Sequence, residues 1–375
     1  MRIAIITTSR IPSSTANSIQ VMKVCQAYCQ LGHNITLIVP GRGEVDWESI
    51  TKIYGINCKF PIKYLPSFKL FRRFDFSLFS GISLLLKKYD LVHTWLPHIG
   101  IVAGVLKIPY LMELHELPTG KFGPGIFKRI LLSKSKKRFL CITNALKKFY
   151  EQKYKFKFRK EEVVIAPMGV VLEPYQHLEN LSELKQKLGK VNRFTAVYTG
   201  HLYPGRGMNL LVSLAKELPE IFFLWVGGRL DDVNFWKNEI QSQNIKNIKL
   251  TGFVNNEEIP GYQTIGDVLL MPYENNISGS SGGNTVDYCS PMKMFEYMAA
   301  GRPIISSDLP VIHEVLNEKN AILCKFNDIQ CWTDALNMIK NNPEVGKNLG
   351  SQARKDVEKY TWNKRTTQAL EGFIE

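Results

Sequence analysis

Two kinds of hydrophobic patterning alternate along the chain. Short continuous apolar runs (RIAIIT, NITLIVPG, LVHTW, IPYLMELH, RFLCIT and EVVIAP) are separated by stretches whose apolar residues return every three or four positions. SIQVMKVCQAYCQLG, which stops at Gly32, is one of these; 124–136 and 144–152 are others. Runs without a polar face predict strands buried on both sides, and the helical period predicts the layers that cover them. A polar, helix-prone stretch at 172–192 interrupts the alternation. It then restarts with RFTAVYTG, IFFLWVGG, NIKLTGF, DVLLMPY, RPIISSD and NAILCKF. Helices are predicted near 207–218, 232–243, 291–300, 311–317, 328–341 and 345–358, and a last amphipathic one over 361–374. The fold class read from this pattern is α/β: two doubly wound Rossmann-like domains, 1–180 and 181–360, facing a central cleft. Ligands of such sheets bind outside the carboxyl ends of the strands.

Composition narrows the function. With 375 residues, 45% hydrophobic and 22% charged, the chain has room for two ordinary globular cores. Lys and Arg number 48 against 34 Asp and Glu, a net charge of +14, which points to an anionic partner. The surplus is uneven: between Lys134 and Lys160 only Glu151 is acidic. Seven scattered cysteines suit a reducing compartment with no disulfide framework, and no metal site is expected. The first residues do not read as a signal peptide, and no apolar stretch is long enough to span a bilayer. A cytoplasmic protein, with a peripheral contact on the inner face of the cell membrane, is the expectation.

The strand ends carry the candidate chemistry. After the first strand, TTSRIPSSTANS has no glycine, which excludes a dinucleotide fingerprint. Asn17 and small hydroxylated residues still allow a ligand close approach, or form an ordinary loop with Ser18 as a helix cap. His115 and Glu116 stand where the strand IPYLMEL gives way to a loop containing glycine and proline. In YTGHLYPGRGMNLL, Arg206 precedes a helix whose free N–H groups would assist in holding a phosphate. Gly227 and Gly228 could wrap a ligand, and the backbone at Phe253 could read a nucleobase edge. Pro291 suits the first turn of the 291–300 helix. Free N–H groups near Met292 and Lys293, with the lysine ammonium beside them, make an anion site. Glu296, one turn on, could accept two hydrogen bonds from a ribose. Each of these also suits a solvated loop or a plain amphipathic helix.

Taken together, SPMKMFEYMAAGRPIISSDLPVIHEVL, YTGHLYPGRGMNLL, LWVGG, LTGFVNNEEIPGYQTIGDVLLMP, FLCITNALKKFY, IAPMGVVLEPY and GHNITLIVP resemble, in order, the retaining GT-B glycosyltransferases of glycosyltransferase family 4. The resemblance implies an acceptor-binding N-terminal domain and a C-terminal domain that binds a nucleotide sugar, with UDP favoured. It implies no metal and no cofactor, and a last helix returning to the N-terminal domain. Glu296 then matches the ribose-binding glutamate. Ser290, Pro291, Met292 and Lys293 match the phosphate-facing helix start, and His201 and Arg206 the groups that neutralise the departing diphosphate. His115 matches a histidine that contacts the donor sugar, with Asn17, Glu116, Asp287 and Tyr288 around it. Three positions depart from the pattern. Tyr288 replaces a glutamate, His201 an arginine, and Ala16–Asn17 a Gly-Gly pair. Tyr288 keeps open a catalytically weak or inactive subunit acting as a scaffold. Basic and aromatic residues mix in 63–79, with Lys69, Phe71, Arg72 and Arg73 among them, and again in 134–160. That mixture suggests an anionic membrane surface and a lipid-linked or glycan acceptor; no nucleic-acid partner is expected.

Overall fold

In the computed structural model, residues 1–68, 74–178, 181–188, 193–277 and 283–374 are described. Lys69, Phe71, Arg72 and Arg73 lie outside them. The chain forms two compact units, Met1–Met168 with Trp362–Glu375, and Gly169–Thr361. The boundary falls at 168 rather than 180 because residues beyond it bond within the second unit. Val170 pairs with Thr361 as an isolated bridge, and the Tyr175 hydroxyl donates to Gln263 Oε1 at 2.7 Å.

The first unit holds seven parallel strands: β1 (Arg2–Ile6), β2 (Asn34–Pro40), β3 (Ile62–Leu65), β4 (Leu91–Thr94), β5 (Tyr110–Leu114), β6 (Lys137–Cys141) and β7 (Val163–Ile165). Their spatial order is β3-β2-β1-β4-β5-β6-β7. The order reverses between β1 and β4, so the loops that follow these strands open a crevice where α/β sheets bind ligands. β3 escapes the apolar-run criterion because it is a half-exposed edge strand containing Lys63. Helix Ala16–Gln30 is capped by Thr15, whose side chain accepts from the Ser18 N–H, and not by Ser18. Ser18 turns inward instead and donates to Ser13 O. Helix Trp362–Leu370 packs on Ala16–Gln30.

The second unit holds β8 (Thr195–Thr199), β9 (Phe222–Val226), β10 (Ile248–Leu250), β11 (Val268–Met271), β12 (Ile304–Ser307) and β13 (Ile322–Cys324), ordered β10-β9-β8-β11-β12-β13 and parallel throughout. Its switch point lies between β8 and β11. The expected 311–317 helix is only a 3-10 turn, Ile312–Glu314. There Asn320 Oδ1 accepts from the Asn317 N–H (2.8 Å), a local bond that competes with helix propagation. Pro291 is the N-cap of helix Met292–Ala300, with extended backbone, and not a residue of its first turn. Gly301 closes that helix in the left-handed region, where a side chain would be strained.

Candidate functional site

At the second switch point, the loop after β8 and the helix start at Met292 converge. Gly200 has φ 134°, and a Cβ there would come within 2.8 Å of Lys293 Nζ. A glycine is therefore required for the ammonium to lie against the backbone. Gly207 (φ 73°) is pressed on Pro272 O so closely that no side chain fits. This fixes the 200–207 loop against the segment after β11, and the Glu274 N–H donates to Gly205 O across the same seam (3.2 Å).

Lys293 carries a buried amine with unmet hydrogen-bonding capacity among the described residues. Its Nζ is buried with no hydrogen-bond acceptor among the described residues. It lies over the rings of Tyr198 (3.9 Å to the centroid) and Tyr273 (5.5 Å). Burial first, then the neighbouring Arg206 charge, hold its pKa well below 10.5, with Glu296 opposing. Arg206 donates from Nη2 to the Tyr203 hydroxyl (2.7 Å) and lies over the rings of Tyr203 (4.8 Å) and Tyr273 (5.0 Å). Burial would weaken its charge, but the phenols around it outweigh burial and its pKa is raised. His201 Nδ1 is buried without a hydrogen-bond partner among the described residues. Burial, then Arg229, Arg206 and Lys293, lower its pKa. The Arg206 guanidinium, the Lys293 amine and the His201 imidazole thus gather near the first turn of helix Met292–Ala300, each sensing the others' charge. That turn has no acidic residue, and its leading N–H groups lack intrahelical acceptors.

One turn further on, Glu296 sits in a buried polar chain. Gln263 Nε2 bridges Thr199 Oγ1 (3.1 Å) and Glu296 Oε2 (3.4 Å), and Tyr297 Oη accepts from the Thr199 N–H (2.8 Å). Gly227 backs onto Gly200 and pairs with Gly252, so its N–H is already bound to Gly252 O (2.9 Å). Gly228 packs on Leu202 and Val233. Phe253 stands 58% exposed just beyond. Ser290 is buried and Tyr288 half-buried, both with partners, and Asp287 is exposed. The Cys289 thiol, pushed up to about 12 mainly by burial, interacts with Arg206. Gln263, Tyr175 and the tyrosines at 198, 203 and 273 escape sequence reading. They are aromatic or amide residues on separate helical, strand and loop segments, and only tertiary contact shows their role.

Asn17, His115 and Glu116 belong to the first unit. Asn17 Oδ1 accepts from Ser9 Oγ (2.8 Å), and Glu116 O accepts from the Tyr150 hydroxyl (2.7 Å). His115 is held by a residue that sequence reading passed over. Glu113, fully buried within β5, accepts from His115 Nε2 (2.9 Å) and His93 Nε2 (3.1 Å). It also accepts a two-pronged bond from Arg365 (2.7 Å to each oxygen). Burial would raise the Glu113 carboxyl, but Arg365, His115 and His93 together hold it well below 4.5. His93 Nδ1 lies 2.8 Å from the Tyr28 hydroxyl, and its pKa is lowered by burial. The buried glutamate in YLMEL and histidine in LVHTW were the available signals, since charge in a buried strand demands a partner. The partner, Arg365, lies more than two hundred residues along the chain.

Residues 18–174 match the model for Glycosyltransferase Family 4, and residues 181–356 match that for Glycosyl transferases group 1. The chain belongs to the family 4 GT-B glycosyltransferases. This glycosyltransferase is 25% identical over 284 residues to an alpha-galactosylglucosyldiacylglycerol synthase of Streptococcus pneumoniae (73% of this chain, 67% of that one). It is 26% identical over 287 residues to the Escherichia coli UDP-Gal:alpha-D-GlcNAc-diphosphoundecaprenol alpha-1,3-galactosyltransferase (69% of each). Matches to two further curated glycosyltransferases cover only 49% and 26% of their length. In fold it is similar to Anabaena HepE solved with UDP-glucose, with TM-score 0.74, 16% identity and 99% of each chain covered.

The electrostatics of Lys293 make a prediction for the ligand-free glycosyltransferase. Lys293→Met removes a buried amine with no acceptor among the described residues, so Tm should hold or rise by about 2–4 °C for ~1 kcal/mol gained. The thermal shift produced by UDP should disappear. Because the folded pKa is depressed, the unfolded chain binds the extra proton in the window between the lowered value and 10.5. Wild-type stability should therefore climb as pH rises through that window, and the variant should not show this climb. A lower Tm with an intact UDP shift would make Lys293 merely structural.

Proposed function

We propose that this glycosyltransferase moves a sugar from a UDP-sugar to a glycan or lipid-linked acceptor. The anomeric configuration is retained and no metal takes part, and the setting is bacterial surface or exopolysaccharide assembly. The observation that carries the reading is the pairing of Lys293, whose Nζ is buried without an acceptor among the described residues, with Arg206 near a helix start that has no side-chain cap among them. A diphosphate supplies the missing acceptors. Glu296, one turn along, would take the ribose hydroxyls, and the backbone beside Phe253 would face the base.

Charge grows on the leaving diphosphate as the glycosidic bond to the donor breaks and the sugar becomes oxocarbenium-like. Arg206, Lys293 and the N–H groups of Met292 and Lys293 meet that charge in place. His115, held beside Glu113 in the first unit, would be the histidine that contacts the donor sugar, as the family resemblance implies. The names of the relatives, with UDP-Gal, diacylglycerol and diphosphoundecaprenol among them, favour a lipid-linked acceptor. Proton NMR of the first product formed from an α-configured UDP-sugar tests the whole. An α-glycoside supports retention, a β-glycoside overturns it, and nucleotide binding without any turnover supports the scaffold alternative.

A further inference from the structure

We infer that the outward side of helix Phe74–Leu86, with the ends of the two helices beside it, is a docking surface for an anionic lipid bilayer. The inference goes beyond the donor-site reading and stands without it. The helix distributes its residues in the reverse of the usual sense. Ser77, Ser80, Gly81 and Ser83 face the protein, with Phe76 and Leu84 as the large apolar groups among them. Phe74, Leu78, Ile82, Leu85 and Leu86, which recur at helical spacing, are 42–79% exposed. A helix on a water-facing surface does the opposite. One inward serine is costly: Ser80 Oγ is buried with no hydrogen-bond partner among the described residues, whereas Ser83 Oγ accepts from Lys63 Nζ (3.0 Å). An exposed stripe of this kind marks a surface meant to be covered.

The neighbouring elements extend the surface. Helices Pro97–Val105 and Gly123–Leu132 pack beside it in series. All three connect parallel strands, so they run in the same sense and end at the same edge of the layer. Each ends in an exposed aliphatic residue followed by exposed lysine. Leu85–Leu86 precede Lys87–Lys88, Val105 (75% exposed) precedes Lys107, and Leu132 (76%) precedes Lys134. Between 74 and 136 the acidic residues are Asp75, Asp90, Glu113 and Glu116. Glu113 is buried; Asp75 and Asp90 accept from the backbone N–H of Phe68 and Arg2 (2.6 Å each). Aliphatic side chains with ammonium groups one step behind match the layering of acyl chains below anionic headgroups. The core of a protein–protein patch instead excludes lysine.

This relocates the surface expected from 134–160. There Phe139, Tyr150 and Phe158 are buried in a ring cluster around Phe127, and Lys137 and Arg138 are buried and bonded within the unit.

Flotation of the full chain on vesicles tests the inference. The wild type should float with phosphatidylcholine vesicles containing about one third phosphatidylglycerol at low salt, and largely detach near 0.5 M salt, where the Debye length falls to ~4 Å. Leu85→Ser/Leu86→Ser and Lys87→Glu/Lys88→Glu should each lower partitioning about tenfold or more, with Tm and its UDP shift unchanged. A wild type that does not float, or a Leu85→Ser/Leu86→Ser variant that floats equally well, overturns the inference. A wild-type dimer in light scattering that this variant turns into monomers overturns it too, by assigning the face to a second copy.

Discussion

Arg206→Ala is expected to lower kcat/KM for sugar transfer by about two orders of magnitude, the loss typical of one well-placed charge-stabilising donor. Most of the loss should fall on kcat, because the negative charge that Arg206 meets grows only as the diphosphate departs. The guanidinium is preorganised for this. Tyr203 holds it by a 2.7 Å hydrogen bond and by ring contact, and the Tyr273 ring lies 5.0 Å away. Arg206→Lys keeps the charge but loses the fork and the stacking, so it should recover only part of the rate. Steady-state kinetics with a UDP-sugar reads this directly. A fully active Arg206→Ala enzyme would remove the residue from the reaction.

Arg365→Ala is expected to destabilise the first unit by about 3–5 kcal/mol, because it leaves the Glu113 carboxylate buried with its main counter-charge gone. Surface ion pairs of this protein, such as Lys52–Glu48, would cost at most ~1 kcal/mol. Glu113→Gln/Arg365→Met, which removes both charges, should recover much of the loss. Urea unfolding followed by circular dichroism measures the shift in midpoint. The sign of the pH dependence is fixed. Glu113 has a depressed folded pKa, so its contribution is complete above about 4.5 and fades as pH falls through the lowered value. The gap between wild type and Arg365→Ala should therefore narrow in acid. A midpoint shift of a surface-mutant size would show that the pair is solvated.

Much of this was legible before the structure, and the reason differs by region. The strands could be read because parallel strands buried on both faces leave continuous apolar runs. Helix Met292–Ala300 could be read because proline, apolar spacing and Gly301 bracket it locally. Its candidate residues, Lys293 and Glu296, sit on one helix, and Arg206 sits on a glycine-bounded loop. The buried polar networks were not legible. Gln263 meets Glu296, and Arg365 meets Glu113, only after the sheet order has brought distant segments together. The exposed apolar side of helix Phe74–Leu86 was not legible either. Its periodicity is normal, but the direction of its apolar face is set by what covers it.

The central claim is that the first turn of helix Met292–Ala300, with Lys293 and Arg206, holds a diphosphate. A crystal of the protein soaked with UDP-glucose tests it most directly. The account predicts phosphate oxygens within hydrogen-bonding distance of Lys293 Nζ, the Arg206 guanidinium and the N–H groups of Met292 and Lys293. A diphosphate bound elsewhere, or a saturated crystal in which Lys293 Nζ still has no partner, would contradict it.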